Sequence, residues 1–264
     1  EEREPRRNHR PRRDVGGGLE LREDQMVLAY TPYRSHLDHL KPHPVLVVGS
    51  KKCLRVARAY GFRHAVHIDD YSRNNPLLNP FARHAAVTST ATSAVVDAEK
   101  AEEKEERRCE AAVKEDKEAE ARRAEPGPFQ AVLVFTDPSD FFEGLQIVTD
   151  VLLSSRPNEV EYEASHRIPC FFSAGDLLWK SQHRHARFGL GGFRLALEAL
   201  YSARMRSLGL SESVVSGRLA YFHQYGKPTR RQFEFGRDAV LRQARRLGYN
   251  GISHFYVVGD NPRS

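Results

Sequence analysis

The sequence predicts an α/β fold built on a mainly parallel sheet. Short apolar runs of strand length, such as residues 45–48 and 131–135, alternate with longer segments that have helical spacing. Such alternation is typical of parallel strands joined by helices that cover the sheet. The length of 264 residues suits one large domain or two small ones. No stretch approaches the roughly eighteen consecutive apolar residues of a membrane span.

The predicted elements follow one another along the chain. The β-branched run at 45–48 predicts a buried strand, and the segment 51–60 predicts a helix with Gly61 as its C-cap. Prolines mark 74–83 as a loop. Further strands are predicted at 65–68, 131–135, 170–173 and 252–258, and further helices at 141–153, 191–205 and 229–247.

Two segments stand apart from this pattern by composition. Residues 1–23 are rich in arginine and predict a basic disordered tail. Residues 84–128 form a charged, low-complexity insertion, rich in helix-forming Ala, Glu, Lys and Arg, that lacks an apolar stripe to dock on a core. We interpret this segment as a solvent-exposed helical or disordered insertion, with a partner-binding helix as the alternative.

Charge and cysteine content limit the functional classes. The formal net charge of +6 permits a nucleic-acid partner, but the basic tail has no aromatic residues for base stacking, so nucleic acid is not expected. The cysteines are odd in number and widely spaced, which excludes a disulfide scaffold and favours a reducing compartment. They are Cys53, Cys109 and Cys170.

Two strand ends carry residues suited to phosphate chemistry. The first is the turn GKP at 226–228, which precedes a predicted helix, and the second is GDNP at 259–262, after the last predicted strand. Ligands of α/β proteins bind beyond the carboxyl ends of the strands. A lysine neutralises an anion as a point charge, and a carboxylate offers hard oxygen to a hard cation. Lys227 and Asp260 therefore predict a phosphate and Mg²⁺ site.

Many short segments, in a fixed order, carry a resemblance to a known family. They are residues 25–34 (QMVLAYTPYR), 45–49, 57–62 (ARAYGF), 66–73 (VHIDDYSR), 75–76, 131–153, 168–179, 187–201, 225–228 and 256–264. Together they resemble the haloacid dehalogenase (HAD) superfamily, class IIA. Within that class the sequence is most similar to the cat-eye-syndrome critical-region branch, relatives of NagD and pyridoxal phosphatase.

The resemblance implies a HAD-like, Rossmannoid partial core with a large class IIA α/β cap. Residues 24–222 would be mostly cap, and residues 223–264 the carboxyl-terminal, incomplete part of the core. HAD phosphatases form an aspartyl-phosphate on the aspartate of a DxDG motif, while Mg²⁺ and a lysine stabilise the transferring phosphoryl group. By resemblance, Lys227 contacts the phosphate and Asp260 binds Mg²⁺.

The cap supplies substrate specificity in this family. The resemblance therefore implies that Asp176, Trp179 and Arg187 contact the substrate, a small phosphorylated metabolite. Packing within the cap and surface ion pairs are the alternative roles for these three residues. The resemblance also implies a mitochondrial location, with a cytoplasmic one as the alternative.

The sequence departs from the family pattern at both ends. It contains no DxDG motif. The second metal-binding acid of the family would follow directly after the serine at position 264, which is the last residue of the sequence. We therefore expect the chain to be a fragment, inactive alone, of a Mg²⁺-dependent hydrolase. The alternative is a non-catalytic HAD-like structural or binding subunit of a mitochondrial assembly, which would have a protein partner.

Overall fold

The computed structural model describes residues 25–75, 78, 128–154 and 167–256. The predicted basic tail at 1–23 and nearly all of the charged insertion at 84–128 lie outside these ranges. Both predictions about these segments stay predictions.

Five strands form one parallel sheet in the order β2-β1-β3-β4-β7. A separate antiparallel hairpin consists of β5 and β6. The strands are β1 (Pro44–Val48), β2 (His64–His67), β3 (Ala131–Val134), β4 (Cys170–Phe172), β5 (Leu178–Trp179), β6 (Arg187–Phe188) and β7 (Phe222–Gln224). The predicted α/β class is therefore confirmed, and the sheet is of the Rossmann-like type.

Helices connect the strands and cover both faces of the sheet. They are α1 (Tyr33–His36), α2 (Lys52–Ala59), α3 (Ile68–Asn74), α4 (Phe141–Leu153), α5 (Leu190–Ser207), α6 (Glu212–Leu219) and α7 (Arg230–Arg246), with a 3₁₀ turn at Asp38–Leu40. Polar side chains cap the start of three of the helices, α3, α4 and α7. The Asp140 carboxylate accepts a bond from the backbone N–H of Glu143 at 3.0 Å and so caps α4.

The sheet is buried on both faces because side chains alternate along each strand. Leu46 and Val48 belong to a core shared with α3, α4, α5 and α6, whereas Val45 and Val47 pack with α1 and α2 on the other face. All four side chains are fully buried. A strand buried on both faces reads in sequence as a continuous apolar run, which explains why 45–48 and 131–135 were recognisable.

Several elements differ from the predictions. The helices α1, α3 and α6 and the hairpin strands β5 and β6 were not predicted. In α6 the sequence ESVVSGRL has weak amphipathic spacing. The strand predicted at 252–258 is wrong for residues 252–256, which are neither helix nor strand. A strand needs a neighbour for its backbone groups, and no strand in the described part of the chain pairs with this segment.

The proposed boundary between cap and core at 222/223 falls within β7. This strand hydrogen-bonds in parallel register with β4, so that Cys170 lies opposite Phe222 and Phe172 opposite Gln224. Both sides of the boundary thus contribute to one sheet. The division into a cap and a core stays a prediction. Among the described residues, no helix is long and apolar enough to cross a membrane.

Candidate functional site

The carboxyl ends of the five sheet strands lie at one edge, because the strands are parallel. The order in which strands are added to the sheet reverses between β1 and β3. From β1 the chain continues to β2 on one side, whereas from β3 it continues to β4 on the other side. Open α/β sheets commonly bind ligands in the crevice at such a switch point. Two places on this edge are therefore candidates: the crevice between β1 and β3, and the turns that follow β4 and β7.

The crevice between β1 and β3 is filled by the protein's own groups. The Thr136 hydroxyl accepts a bond from the Ser50 backbone N–H at 3.1 Å. A Cβ placed on Gly49 would lie 2.6 Å from the same oxygen. The Nε2 of buried His67 bonds the Gly49 carbonyl at 3.1 Å. Because these groups satisfy one another at close packing, the second place is the better candidate.

The turn after β7 carries Lys227. The Tyr225 N–H continues the sheet by donating to the Phe172 carbonyl at 2.7 Å, after which Gly226 turns the chain with φ +76°. A Cβ on Gly226 would collide with the Ser173 carbonyl oxygen. Glycine is required here for both reasons, and the turn presents Lys227 as an exposed side chain.

The same turn begins α7. Thr229 donates from its hydroxyl to the Gly226 carbonyl at 2.6 Å and from its backbone N–H to the same oxygen at 2.9 Å. Its hydroxyl also accepts a bond from the Gln232 backbone N–H at 3.4 Å and so caps the helix. Lys227 therefore lies between a strand end and a capped helix start, as its sequence context predicted.

The three predicted substrate contacts gather at the hairpin that follows β4. Trp179 lies opposite Arg187 in the hairpin register, and the Trp179 Nε1 donates to the Phe188 carbonyl at 3.2 Å. Asp176 lies at the base, where its carbonyl accepts a bond from the Gly191 N–H at 2.9 Å. All three predicted side chains are exposed, with Trp179 at 51%.

The hairpin combines exposed apolar and basic groups. Residues 177–188 contain three Lys or Arg residues and no Asp or Glu. Phe188 is 69% exposed and Leu178 is 52% exposed. An exposed cationic hairpin with aromatic side chains is suited to contact an anionic ligand that also offers apolar or aromatic surface.

The hairpin and the lysine turn are neighbours through the backbone. The backbone of Gly226 packs against Ser173, the residue after β4, and a Cβ on Gly175 would lie 3.2 Å from the Gln224 side chain. Lys227 and the base of the hairpin therefore share the edge formed by β4 and β7. Four of the predicted site residues lie on the two segments that start from this edge: Lys227 on the turn, and Asp176, Trp179 and Arg187 on the hairpin.

Electrostatics near the lysine turn favour an anion. Burial lowers the pKa of His223 on β7, and the charges of Arg231 and Arg194 lower it further. Burial also raises the pKa of Tyr225, whose ring lies 5.4 Å from the Arg231 guanidinium. Both side chains therefore stay neutral near pH 7. The charged side chains beside the turn include Arg231, Lys227 and Arg194, of which Arg194 is paired with the Glu198 carboxylate at 2.7 Å.

The other predicted site residue, Asp260, lies outside the described residues. Within the described ranges, no group of three or more His, Cys, Asp or Glu side chains could hold a metal ion. The described part of the chain thus does not by itself form a Mg²⁺ site. Sequence reasoning also missed Arg194 and Gln224, which bond each other at the lysine turn across thirty positions of sequence. No local pattern could have paired them.

A groove of about 830 Å³ runs along α7 and includes Lys227 in its lining. Its walls are largely apolar, and several of its side chains are exposed. They include Phe233, Val240, Phe255 and Tyr256. Lys227 is thus part of the lining of this largely apolar groove.

The sequence is similar to a yeast protein. It is 30% identical over 267 aligned residues to a protein of Saccharomyces cerevisiae named Mitochondrial hydrolase YKR070W. The similarity covers 91% of this chain and 64% of the yeast protein, so the chain spans less than two thirds of that relative's length. No protein-family model matches the sequence.

Proposed function

We propose that the chain belongs to a mitochondrial hydrolase, and more specifically to a Mg²⁺-dependent phosphatase that acts on a small phosphorylated metabolite. The similarity to a protein named as a mitochondrial hydrolase supports the reaction class and the location. The finer assignment to HAD class IIA and its cat-eye-syndrome critical-region branch rests on the segments that carry the resemblance.

The observation that carries the phosphatase proposal is the placement of Lys227. A left-handed glycine, packed on the end of β4, delivers an exposed lysine to the carboxyl edge of a parallel sheet. Arg231 adds positive charge to the same corner of the sheet, whereas the charge of Arg194 is paired with that of Glu198. A lysine whose backbone is held in this way can stabilise the charge on a transferring phosphoryl group, because its ammonium starts from a fixed point at the edge of the sheet.

The proposed reaction has two steps. In the first step the aspartate carboxylate of the family's DxDG motif, which this sequence does not contain, would attack the phosphorus of the substrate. The bond from phosphorus to the leaving oxygen breaks, and that oxygen takes up a proton. Water then attacks the phosphorus of the acyl phosphate, which releases inorganic phosphate and restores the carboxylate. Within this chain, Lys227 would neutralise the phosphoryl oxygens in both steps. Asp176, Trp179 and Arg187 would hold the rest of the substrate.

The proposed dependence on Mg²⁺ is supported by the sequence context of Asp260 and by the resemblance alone. The described residues do not assemble a cation site, so the metal would be held by Asp260 together with residues outside the described ranges. Loss of phosphate release on treatment with EDTA, and its return with added Mg²⁺, would support the assignment. Full turnover in EDTA would contradict it.

Replacement of Lys227 gives the decisive test. In the full-length protein, we expect Lys227→Ala to lower phosphate release from p-nitrophenyl phosphate by at least about 100-fold, since the compensating charge is lost from the transition state. The side chain is exposed, so the fold should remain intact. The matched control is Lys41→Ala, which removes a lysine paired with Asp38 at 2.5 Å, before the amino end of β1.

The control should retain the turnover of the unmodified protein. Undiminished turnover in Lys227→Ala would remove the assigned role of this lysine. The same assay, run with a panel of phosphorylated metabolites, would identify the substrate by its kcat/KM.

One observation favours a second candidate function, a non-catalytic binding subunit. The groove along α7 exposes aromatic side chains, with Tyr256 at 89% and Phe255 at 46%. Exposed apolar grooves are characteristic of surfaces that contact other polypeptides. A full-length protein that releases no phosphate from any substrate, with or without Mg²⁺, would favour this candidate over the hydrolase.

A further inference from the structure

The side-chain amide of Gln224 is engaged on both sides. Its Oε1 accepts a bond from the Arg194 Nη1 at 2.8 Å. Its Nε2 donates to the Tyr225 carbonyl at 2.6 Å and lies 3.4 Å from the Phe172 carbonyl. A guanidinium has donors and no acceptors, so the amide oxygen must face the arginine and the nitrogen must face the two carbonyls.

Arg194 is itself held in place by two further contacts. Its Nε donates to the Glu198 carboxylate at 2.7 Å, one turn along α5. Its guanidinium lies 5.3 Å from the centre of the Phe172 ring. The side chain is 26% exposed. An arginine fixed by an ion pair, a ring and an amide has little rotational freedom left, so it can hold Gln224 in one orientation.

The group that Gln224 holds is the last carbonyl before the lysine turn. Tyr225 is bonded on its N–H side to β4 and on its carbonyl side to Gln224. The bond to β4 fixes the peptide before Tyr225 through its N–H, and the bond to Gln224 fixes the Tyr225–Gly226 peptide through its carbonyl. Since Gly226 is followed directly by Lys227, the orientation of this peptide sets where the lysine side chain starts.

The same arginine is coupled to the hairpin. Arg194 lies in the second turn of α5, whose start is bonded to the hairpin base. The Gly189 N–H donates to the Leu177 carbonyl at 2.9 Å, and the Gly191 N–H donates to the Asp176 carbonyl at 2.9 Å. A continuous path of hydrogen bonds and helix backbone therefore joins the hairpin to the peptide before Lys227.

We propose that Arg194 and Gln224 are positioning residues that fix Lys227 relative to the substrate-contacting hairpin. They act through the Tyr225 carbonyl and do not themselves touch the substrate. The inference rests on the proposed role of Lys227 in phosphoryl transfer. Its geometric part, the control of the turn by the two side chains, can be measured without activity.

The sharpest variant is Gln224→Glu. It keeps the shape of the side chain and the acceptor for Arg194, but it replaces the donor to Tyr225 by an oxygen that repels the carbonyl. We expect the kcat of the full-length protein on p-nitrophenyl phosphate to fall about 10- to 100-fold, with a smaller change in KM, because the lysine is misplaced. The thermal midpoint should change little, since the contact with Arg194 becomes an ion pair.

The matched control is Gln130→Glu. Gln130 also donates to a backbone carbonyl, that of Pro128 at 3.4 Å, but it lies at the amino end of β3 on the opposite edge of the sheet. This control should leave kcat and KM unchanged. Equal losses of kcat in the two variants would indicate a general effect of the added charge and would overturn the inference.

Hydrogen exchange followed by mass spectrometry provides the readout that does not depend on activity. In Gln224→Glu and in Arg194→Met, amides of residues 225–229 should exchange faster than in the unmodified protein, while those of β3 stay protected. Arg204→Met, which changes an exposed arginine farther along α5, should have no such effect. Unchanged exchange at 225–229 in both test variants would overturn the inference.

Different results would contradict the proposed role of Lys227 and the proposed positioning roles of Arg194 and Gln224. Retained turnover in Lys227→Ala would remove the proposed function, whatever the other variants do. An inactive Lys227→Ala protein alongside fully active Gln224→Glu and Arg194→Met proteins would leave the proposed function standing and overturn the positioning roles.

Discussion

The sheet and the segment that follows it, residues 230–256, are packed very differently. In β1, Val45, Leu46, Val47 and Val48 are each 0% exposed. The helix α7 has seventeen residues, and Gln232 and Ala244 are the ones that it buries. Its contacts to the body of the protein are sparse and partly aromatic, such as Phe235 against the His36 ring at 5.6 Å.

This difference shows which part of the molecule positions Lys227. The lysine follows a peptide that is bonded to β4 and Gln224, and its glycine neighbour packs on Ser173. These are contacts of the sheet, while Thr229 at the start of α7 adds its bonds to the Gly226 carbonyl. The peptide that precedes the turn therefore depends on the well-packed part of the chain, even though the turn opens the loosely packed part.

The largest expected difference between the two regions comes from truncating one phenylalanine in each. Phe193 is 0% exposed in the core between α5 and the sheet, whereas Phe233 on α7 is 41% exposed. We expect Phe193→Ala to lower the free energy of unfolding by about 3–5 kcal/mol, because a cavity is added to the lost burial. Phe233→Ala should cost less than about 1 kcal/mol.

Urea denaturation followed by circular dichroism measures both values. Similar losses in the two variants would mean that α7 is packed as tightly as the core, which would break the comparison.

A pair of glycine substitutions tests where the turn is anchored. Gly226→Ala places a Cβ against the Ser173 carbonyl and forces alanine into a left-handed conformation, so we expect a loss of about 1–3 kcal/mol in unfolding free energy. Gly236→Ala, within α7, meets nothing within 4 Å and should stabilise the protein by up to about 1 kcal/mol. We therefore expect the unfolding free energy to fall in Gly226→Ala and to rise in Gly236→Ala. The midpoints of urea denaturation check this, provided that the dependence of the free energy on urea concentration is the same in both variants.

Gly226→Ala should also reduce phosphate release, since Lys227 moves with the turn. A variant that unfolds more easily but retains full kcat at a temperature where it is folded would separate the anchoring of the turn from the proposed chemistry.

The smallest effect concerns His223, at the edge of the sheet. Its pKa is lowered by burial first and by Arg231 and Arg194 second, so the folded protein favours the neutral ring. The unfolded chain then binds a proton more readily, and stability falls as the pH drops through the ordinary histidine pKa towards the lowered one. Above the ordinary value this loss is absent.

Replacement of the ring by an amide should reduce this dependence. His223→Gln should flatten the decline of unfolding free energy between about pH 7.5 and 5.5. The same substitution at His64, which is exposed, reports the effect of replacing a histidine as such. An unchanged decline in His223→Gln would show that other groups cause it.

Much of the fold could be predicted from the sequence because the strands of the sheet are buried on both faces. The run at 131–135 and the helix at 141–153 were predicted almost to the residue, since burial selects apolar side chains with a recognisable period. The strand predicted at 252–258 failed over its described residues. Its apolar character is real, but a strand forms by pairing, and pairing is not a local property.

The residues of the candidate site also differ in whether the sequence could predict them. Lys227 was predicted because a turn that needs a left-handed glycine leaves a local signature in the sequence. Arg194 and Gln224 were not predicted, because their contact joins residues that are far apart in the chain. The crevice between β1 and β3 was also not recognised as filled, since the contact between Ser50 and Thr136 depends on strand order.

The sequence by itself determined the α/β class, most strands and helices, and the lysine in its glycine turn. These follow from local rules: the period of apolar residues, the punctuation by glycine and proline, and the capping of helices. The tertiary structure decided that β7 pairs with β4, that the hairpin lies beside the lysine turn, and that two distant side chains hold the peptide before Lys227. Those features depend on hydrogen bonds between segments remote in sequence, which form only once the sheet has set the strands side by side.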